Sequence, residues 1–358
     1  MVKLAFLWWL LFGSRFSESY LLSSVDFSVG KIYGGSRKFS AGEASYEFPS
    51  KPFRIKKIET KLLCNYHFNE NNPVLIKEKI EGLINITRVK ENFVPTSILV
   101  GLSGYIANKD FLFIPQFWAA FSIIHIITTT SMVINDLFDI ETDSINHPER
   151  PLIKGTVTQD EAEIMTTILL MLVPIIGSLY LPVNAAPFWF LASWIIFLYT
   201  PILKRWFLIK NLTCALVVSA TVPFVALSVN GLPTDMLVTL TSQTIFMASM
   251  YIELLLDITD IKGDRENGIN TVPVVWGENA TIVMVTSIVT VGFTNMLIEL
   301  SSNNVPVNMI VGIILSYSPF YVNLLRIIRT QCSPLVIKSA VKQTTFSLLI
   351  YFATILFM

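Results

Sequence analysis

An acidic stretch, Asn135-Asp136-Leu137-Phe138-Asp139-Ile140-Glu141-Thr142-Asp143, ends one apolar run of this chain and is called here the first acidic cluster. The second acidic cluster, Asp257-Ile258-Thr259-Asp260-Ile261-Lys262-Gly263-Asp264, ends another run. In both, aspartates fall at positions i, i+3 and i+7, which predicts that all three lie on one face of a helix. Carboxylates at the ends of membrane helices are costly unless a cation offsets them. The two clusters therefore predict a divalent-metal site for a diphosphate.

The composition indicates a membrane protein. Of the 358 residues, 53% are hydrophobic and 15% are charged, whereas soluble domains carry roughly 25% charged residues. The mean hydropathy is +0.59, and the formal net charge is zero. These values argue against a soluble globule and against a nucleic-acid partner, and they leave the lipid bilayer as the surrounding medium.

Apolar runs recur along the chain, and a helix needs about 20 apolar residues to cross a bilayer. The runs lie near 93–108, 112–134, 164–181, 184–201, 208–229, 235–255, 279–300, 305–325 and 342–358. We therefore expect an all-α bundle of about nine transmembrane helices around a central cavity.

Basic residues predict the orientation of this bundle. They concentrate before the first run and after the second, fourth, sixth and eighth runs, whereas the opposite loops carry only Lys109. By the positive-inside rule, both acidic clusters face the cytosol-like side of the membrane.

Residues 1–61 are predicted to be a largely disordered targeting region. Lys3 and the apolar run 4–12 resemble a signal-peptide core that is too short to span a bilayer. A moderately basic, Ser-containing stretch follows, so a two-part plastid leader and a simple ER signal both fit. We expect residues 62–92 to be a basic pre-helix segment and residues 93–358 to be the transmembrane domain.

The two clusters share more than their aspartates. Asn146 and Asn267 stand at the same offset within them, and each segment passes through Pro or Gly before the next apolar run. These matching halves indicate an internal pseudo-repeat of two helical lobes that face each other across a cavity. A lone DxxD match usually marks a solvated turn, but the repetition of the spacing on the same side favours a site.

The chemistry of these residues suits magnesium. Mg²⁺ takes oxygen ligands and completes its shell with water and phosphate oxygens. Two facing clusters could hold two or more ions, which would neutralise a departing diphosphate. Basic side chains can complete such a clamp, and the candidates are Arg150, Lys204, Arg205 and Arg265. The positive-inside rule alone would also account for each of these basic residues. The motifs around Arg150 and Lys204 favour a role in the diphosphate site for these two.

Residues 135–151 read NDxxDxxxDxxNxPxRP, which resembles the first signature of the UbiA superfamily of intramembrane prenyltransferases. Residues 257–268 read DxxDxxxDxxNG and resemble the second signature. The segment 199–204 is similar to the family's YTPxLK segment, and Arg88 and Asn92 match its Arg and Asn at the start of the first helix.

The resemblance covers roughly residues 80–358 and implies a nine-helix bundle. It also implies magnesium-dependent transfer of an isoprenoid chain from its diphosphate to a hydrophobic acceptor. The implied metal ligands are Asn135, Asp136, Asp139, Asp143, Asp257, Asp260 and Asp264, of which Asp136, Asp139, Asp260 and Asp264 are taken as catalytic. The implied diphosphate contacts are Arg150, Lys204, Arg265 and Tyr199, and the implied cavity residues are Arg88, Asn92, Asn146 and Asn267.

The acceptor is the least determined part of this reading. The Asn135-Asp136 start counts against the homogentisate-type branch of the family, and an aromatic acceptor, a quinone or pigment precursor, is preferred for the breadth of its use there. A glycerophosphate lipid acceptor and an acceptor-free terpene cyclase stay open, as does, more remotely, an ion-coupled transporter. We expect His125 to be a packed residue and His147 to be a surface residue.

Overall fold

The computed structural model of the chain describes residues 73–199, 203, 206–303 and 305–356. Chain contacts divide the sequence into two units, Met1–Leu75 and Ile76–Met358, of which the second contains the fold. The predicted targeting region lies outside the described residues, and the predicted domain boundaries stay predictions.

Helices make up nearly all of the described residues, which contain no strand, so the predicted all-α class is confirmed. The helices are Pro73–Ile86 (α1), Val89–Ala107 (α2), Pro115–Phe138 (α3), Ile140–Asn146 (α4), Pro151–Lys154 (α5), Gln159–Tyr180 (α6), Ala186–Tyr199 (α7), Ile209–Ser219 (α8), Thr221–Ser228 (α9), Met236–Glu266 (α10), Val272–Ser302 (α11), Val307–Arg329 (α12) and Pro334–Leu356 (α13). Short 3-10 turns at Phe111–Phe113 and Val183–Ala185 precede α3 and α7.

A helix lies at each of the nine predicted apolar runs. Within the described residues, five stretches are long and apolar enough to cross a membrane. They are Pro115–Phe138, Gln159–Tyr180, Ile209–Ser228, Val272–Ser302 and Val307–Arg329. The fold is therefore a bundle of membrane helices, whereas the number of nine crossings stays a prediction.

The helices group around two centres. In the first group, α3 packs against α6 and α7, and in the second, α10 packs against α8, α11 and α13 while α12 packs against α13. Helices α2 and α9 contact both α3 and α10. A further contact joins α4, which carries part of the first acidic cluster, to α10, which carries the second. The arrangement agrees with the two lobes that the repeated motif predicts.

Small residues allow the helices of each group to approach closely. A Cβ atom at Gly177 of α6 would overlap the ring of Trp189 on α7, and one at Gly312 of α12 would overlap Thr354 on α13. Close approach at glycine gives membrane helices the van der Waals contact that holds them together, since apolar burial contributes little between helices in lipid.

Candidate active site

The first acidic cluster does not lie on one continuous helix, contrary to the prediction. Helix α3 ends at Phe138, and Asp139, with φ −98° and ψ 12°, separates it from α4. Backbone hydrogen bonds run across the break, from the Asp139 amide to the Asn135 carbonyl at 3.0 Å and from the Asp143 amide to the Asp139 carbonyl at 2.7 Å. The interruption is therefore local, and the aspartates on both sides of it still share a partner.

That partner is Arg150. Its Nη1 donates to Oδ1 of Asp136 at 3.1 Å and also pairs with Oδ2 of Asp143. Arg88 reaches the same Oδ1 of Asp136 from the other side, with Nη2 at 2.5 Å. Asp136, Asp139 and Asp143 are all buried. Two arginines that are far apart in the sequence thus contact the same aspartate, as expected if both belong to the predicted site.

The position of Arg88 depends on α1, a helix that the sequence analysis treated only as a basic segment. Arg88 lies between α1 and α2 in the left-handed region, with φ 49°, which costs a non-glycine residue about 1–2 kcal/mol. Helix α1 is fixed by the ion pair of Lys79 with Glu161 and by Ile86, which is buried against Val133. These contacts and the ion pair with Asp136 together offset the backbone strain.

The second acidic cluster follows the prediction, because α10 continues without a break to Glu266. Asp257, Asp260 and Asp264 therefore lie on one helix face. Asp257 and Asp264 are buried, while the side chain of Asp260 is 32% exposed. The cluster thus combines two enclosed carboxylates with one that is accessible.

Asp257 has two partners that the sequence analysis did not assign to the site. Lys210 Nζ lies 2.5 Å from Oδ1, and Asn211 Nδ2 donates to Oδ2 at 2.9 Å. Both residues lie in the first turn of α8. The sequence does contain a signal for this contact, because a lysine and an asparagine stand at the start of an otherwise apolar run. The sequence analysis used the lysine only as evidence for membrane topology.

The last turns of α10 contact the residues that follow the first acidic cluster. Nε2 of His147 lies 3.8 Å from Oδ1 of Asp260, so this histidine is half-buried between the clusters instead of lying on the surface as expected. The carboxamide of Asn146 packs against Gly263 so closely that a Cβ atom at this glycine would overlap it. The end of α4 and the last turns of α10 therefore form one continuous surface.

His125 has the packed environment that the sequence analysis expected. Its Nε2 lies 3.2 Å from Ser97 Oγ. The ring is stacked on Phe93, with 4.8 Å between centroids, and packs against Phe121 at 4.4 Å. A local partner and two aromatic neighbours account for this histidine within the membrane helices.

Other predicted residues lie at the margins of this surface. Arg265 is exposed near the end of α10, and Asn267 donates to the Gly263 carbonyl at 2.9 Å. Asn92 and Asn135 are half-buried on α2 and α3. The structure thus gathers the acids with Arg88, Arg150 and Asn146 and leaves Arg265 and Asn267 outside these contacts.

The side chains of two predicted diphosphate contacts lie outside the described residues. Tyr199 is the last residue of α7, but its side chain is outside the described residues, as is the whole of Lys204. Their roles stay predictions that rest on the YTPxLK resemblance.

The donor set suits magnesium, because carboxylate and carboxamide oxygens are the ligands that this ion takes. Among the residues that the structure describes, no three His, Cys, Asp or Glu side chains stand close enough together to hold a metal ion. Arg88, Arg150 and Lys210 instead engage the acids. Burial raises the pKa of Asp143 to about 7, against the opposing charge of Arg150. A cation that binds this carboxyl must therefore compete with Arg150, and below about pH 7 also with a proton.

Comparison with known proteins identifies the family. The sequence pattern of the UbiA prenyltransferase family matches residues 94–334, well over half of the chain. The chain belongs to the UbiA prenyltransferase family. It is accordingly an integral membrane enzyme that transfers prenyl groups.

Similar proteins agree with this assignment. A digeranylgeranylglyceryl phosphate synthase of Sulfolobus acidocaldarius is 30% identical over 207 residues, which cover 57% of this chain and 73% of the relative. A solved structure from a study of digeranylgeranylglyceryl phosphate synthase in membranes has a TM-score of 0.60 at 21% identity, over 77% of this chain and 97% of its own. A UbiA homologue of Archaeoglobus fulgidus, solved with GPP and Mg²⁺, has a TM-score of 0.56 at 16% identity, over 76% and 99%. The two structures show that the fold is shared.

Proposed function

We propose that this enzyme transfers an isoprenoid chain from its diphosphate to a glycerophosphate lipid, with two or more Mg²⁺ ions between the acidic clusters. The observation that carries the acceptor class is the similarity to a digeranylgeranylglyceryl phosphate synthase over 73% of that protein's length. It favours the glycerophosphate alternative over the aromatic acceptor that the sequence analysis preferred. The orientation of the site toward the cytosol-like face and the plastid or ER location stay predictions.

The proposed reaction forms an ether. The bond between the first carbon of the prenyl chain and the diphosphate oxygen breaks, and its electron pair leaves with the diphosphate. An acceptor hydroxyl supplies the electron pair of the new C–O bond, and its proton passes to the departing diphosphate. Bound Mg²⁺ would neutralise the charge on the leaving group.

The positions of the acidic residues indicate which of them would bind the metal ions. Asp136, Asp139 and Asp143 on one side and Asp260 and Asp264 on the other would hold the ions, since the clusters meet where α4 contacts α10. The four of these carboxylates other than Asp260 are buried and would interact strongly with a divalent ion, because little water screens them.

Two arginines are suited to the diphosphate. Arg88 and Arg150 have side chains that are 30% and 16% exposed, so each can turn from its aspartate toward a phosphate oxygen. Guanidinium groups bind phosphate in a bidentate manner. The arginines would thus stabilise the leaving group, and the apolar helices would exclude water from the reacting carbon.

The acceptor class is tested with purified enzyme in liposomes that contain Mg²⁺ and geranylgeranyl diphosphate. Separate samples receive geranylgeranylglyceryl phosphate, 4-hydroxybenzoate or no acceptor, and the products are identified by mass spectrometry. We expect a glyceryl phosphate with two geranylgeranyl groups, and no product with EDTA. A prenylated benzoate alone would reject the glycerophosphate acceptor, and a cyclic hydrocarbon without acceptor would reject transfer itself.

Arg150→Lys is expected to raise the KM for the prenyl diphosphate about tenfold or more, since a hydrogen bond to a charged group contributes about 1.5–3 kcal/mol. Lysine keeps the charge but loses the fork that reaches two oxygens at once. The matched control is Lys154→Met, because Lys154 is exposed on the neighbouring helix α5. Equal KM values for wild type and Arg150→Lys would contradict the diphosphate role.

A further inference from the structure

We propose that Asp257 is a positioning residue and not a metal ligand. Together with Lys210 and Asn211 it forms a buried clamp that fixes the start of α8 against the second acidic cluster. The inference rests on the magnesium site of the proposed function, and it removes from that site one ligand that the family resemblance implies.

Both carboxylate oxygens of Asp257 are engaged by side chains of one helix turn. Lys210 Nζ lies 2.5 Å from Oδ1, and Asn211 Nδ2 donates to Oδ2 at 2.9 Å. The side chains of Lys210 and Asp257 are only 10% and 3% exposed, and Asn211 is 1% exposed. The three groups therefore neutralise and satisfy one another away from water.

A metal ion at Asp257 would be repelled by Lys210. Magnesium binds a carboxylate oxygen at about 2.0–2.1 Å, so it would share this carboxylate with an ammonium that is 2.5 Å away from it. Like charges at such separations repel strongly where water is excluded. The lysine side chain is also enclosed by protein, since only 10% of it is exposed.

The clamp differs from the arginine contacts of the first cluster. The side chains of Arg88 and Arg150 are 30% and 16% exposed, and neither residue lies inside a long helix, so each can exchange its aspartate for a phosphate. Lys210 is a residue of α8 itself and is surrounded by protein. In the second cluster, Asp260 lies 3.8 Å from His147, the residue that follows α4.

The clamp has a consequence for the donor. Lys210 follows the predicted phosphate contact Lys204 by six positions, so it fixes one end of the segment that carries that contact. Phe207, next to the start of α8, packs edge-on against Trp276 at 4.8 Å. Loss of the clamp should therefore weaken donor binding and lower stability while leaving magnesium affinity unchanged.

The experiment compares Lys210→Met, Asp257→Asn and the double variant Lys210→Met with Asp257→Leu, all as full-length protein in detergent. Unfolding temperatures are measured in EDTA. The Mg²⁺ concentration for half-maximal thermal stabilisation is then measured with inorganic pyrophosphate, and KM is measured with the prenyl diphosphate. Asp260→Asn serves as the reference for loss of a ligand.

We expect Lys210→Met to lower the unfolding temperature by about 5 °C or more, because it leaves a buried carboxylate without its partner. The double variant should recover this loss, since apolar groups of similar size can replace a buried ion pair. The Mg²⁺ midpoint should stay at the wild-type value in both Asp257 variants and rise about tenfold or more in Asp260→Asn. The KM for the donor should rise in each single variant and return toward wild type in the double.

A raised Mg²⁺ midpoint in the double variant, equal to that of Asp260→Asn, would overturn the inference and make Asp257 a ligand. A double variant that regains stability but keeps a high KM would also overturn it, because Lys210 would then bind phosphate directly. If Lys210→Met does not fold, Asn211→Ala provides the milder test with the same readouts. A wild-type protein that Mg²⁺ and pyrophosphate do not stabilise would reject the metal site of the proposed function, while the EDTA temperatures still test the clamp.

Discussion

Asp260→Ala is expected to lower kcat/KM for prenyl transfer about 10³-fold or more, because several kcal/mol of metal-mediated stabilisation would be lost from the transition state. Asp260 is the second-cluster acid whose Oδ1 lies 3.8 Å from His147, just beyond the first cluster. Its side chain is 32% exposed, so alanine leaves no buried cation without a partner. The variant should therefore lose activity and keep its unfolding temperature in EDTA.

The matched control for Asp260→Ala is Glu266→Ala, which removes an exposed carboxylate from the last turn of the same helix. Both variants change the net charge by the same amount, so a difference between them reports the position of the carboxylate. Steady-state kinetics with a prenyl diphosphate and saturating Mg²⁺ provide the measurement. Wild-type turnover in Asp260→Ala would rule out a metal role for this residue.

Asp136→Ala is expected to lose as much activity as Asp260→Ala, but this loss would have two causes. Its carboxylate is 2% exposed and pairs with both Arg88 and Arg150. Removing it leaves Arg88, whose backbone is strained, without this partner and leaves Arg150 with Asp143 alone. This variant should lose stability together with activity, which makes Asp260 the clearer test of metal binding.

The sequence predicted what depends on local spacing. The length and position of the apolar runs located the helices. The i, i+3, i+7 pattern placed the second acidic cluster on one face of α10, because residues at this spacing share a face of an uninterrupted helix. The same pattern failed at Asp139, where the chain leaves helical geometry between α3 and α4. The amino-acid sequence of the motif does not indicate that break.

The sequence could not predict contacts between residues far apart in the chain. Arg88 and Asp136 are separated by 48 positions and Lys210 and Asp257 by 47, yet each pair is in contact. Charged residues at the ends of apolar runs also obey the positive-inside rule, so topology alone explained Lys210. Burial distinguishes the two explanations, because a topology signal has no need to be enclosed.

The meeting of the two clusters leads to the second large expected effect, at Gly263. A methyl group at this position would overlap the carboxamide of Asn146, so Gly263→Ala should displace this side chain and, where it cannot turn aside, the end of α4 that carries it. A displacement of about 1 Å in an active site can cost about 10²-fold in rate. Alanine is also the better helix former by about 1 kcal/mol, so this variant should lose activity without a matching loss of helix stability.

The test of Gly263→Ala combines kcat/KM with the unfolding temperature of the detergent-solubilised enzyme. Gly101→Ala is the control, since a Cβ atom at Gly101 of α2 meets nothing within 4 Å. Asn146→Ala removes the group that the new methyl would strike, so the pair Gly263→Ala with Asn146→Ala should be more active than Gly263→Ala alone. Such recovery would show that the spacing between the two acidic clusters limits the reaction. Equal activity in Gly263→Ala and Gly101→Ala would instead mean that catalysis tolerates a wider separation of α4 and α10. The close contact between these helices would then not be needed for the reaction.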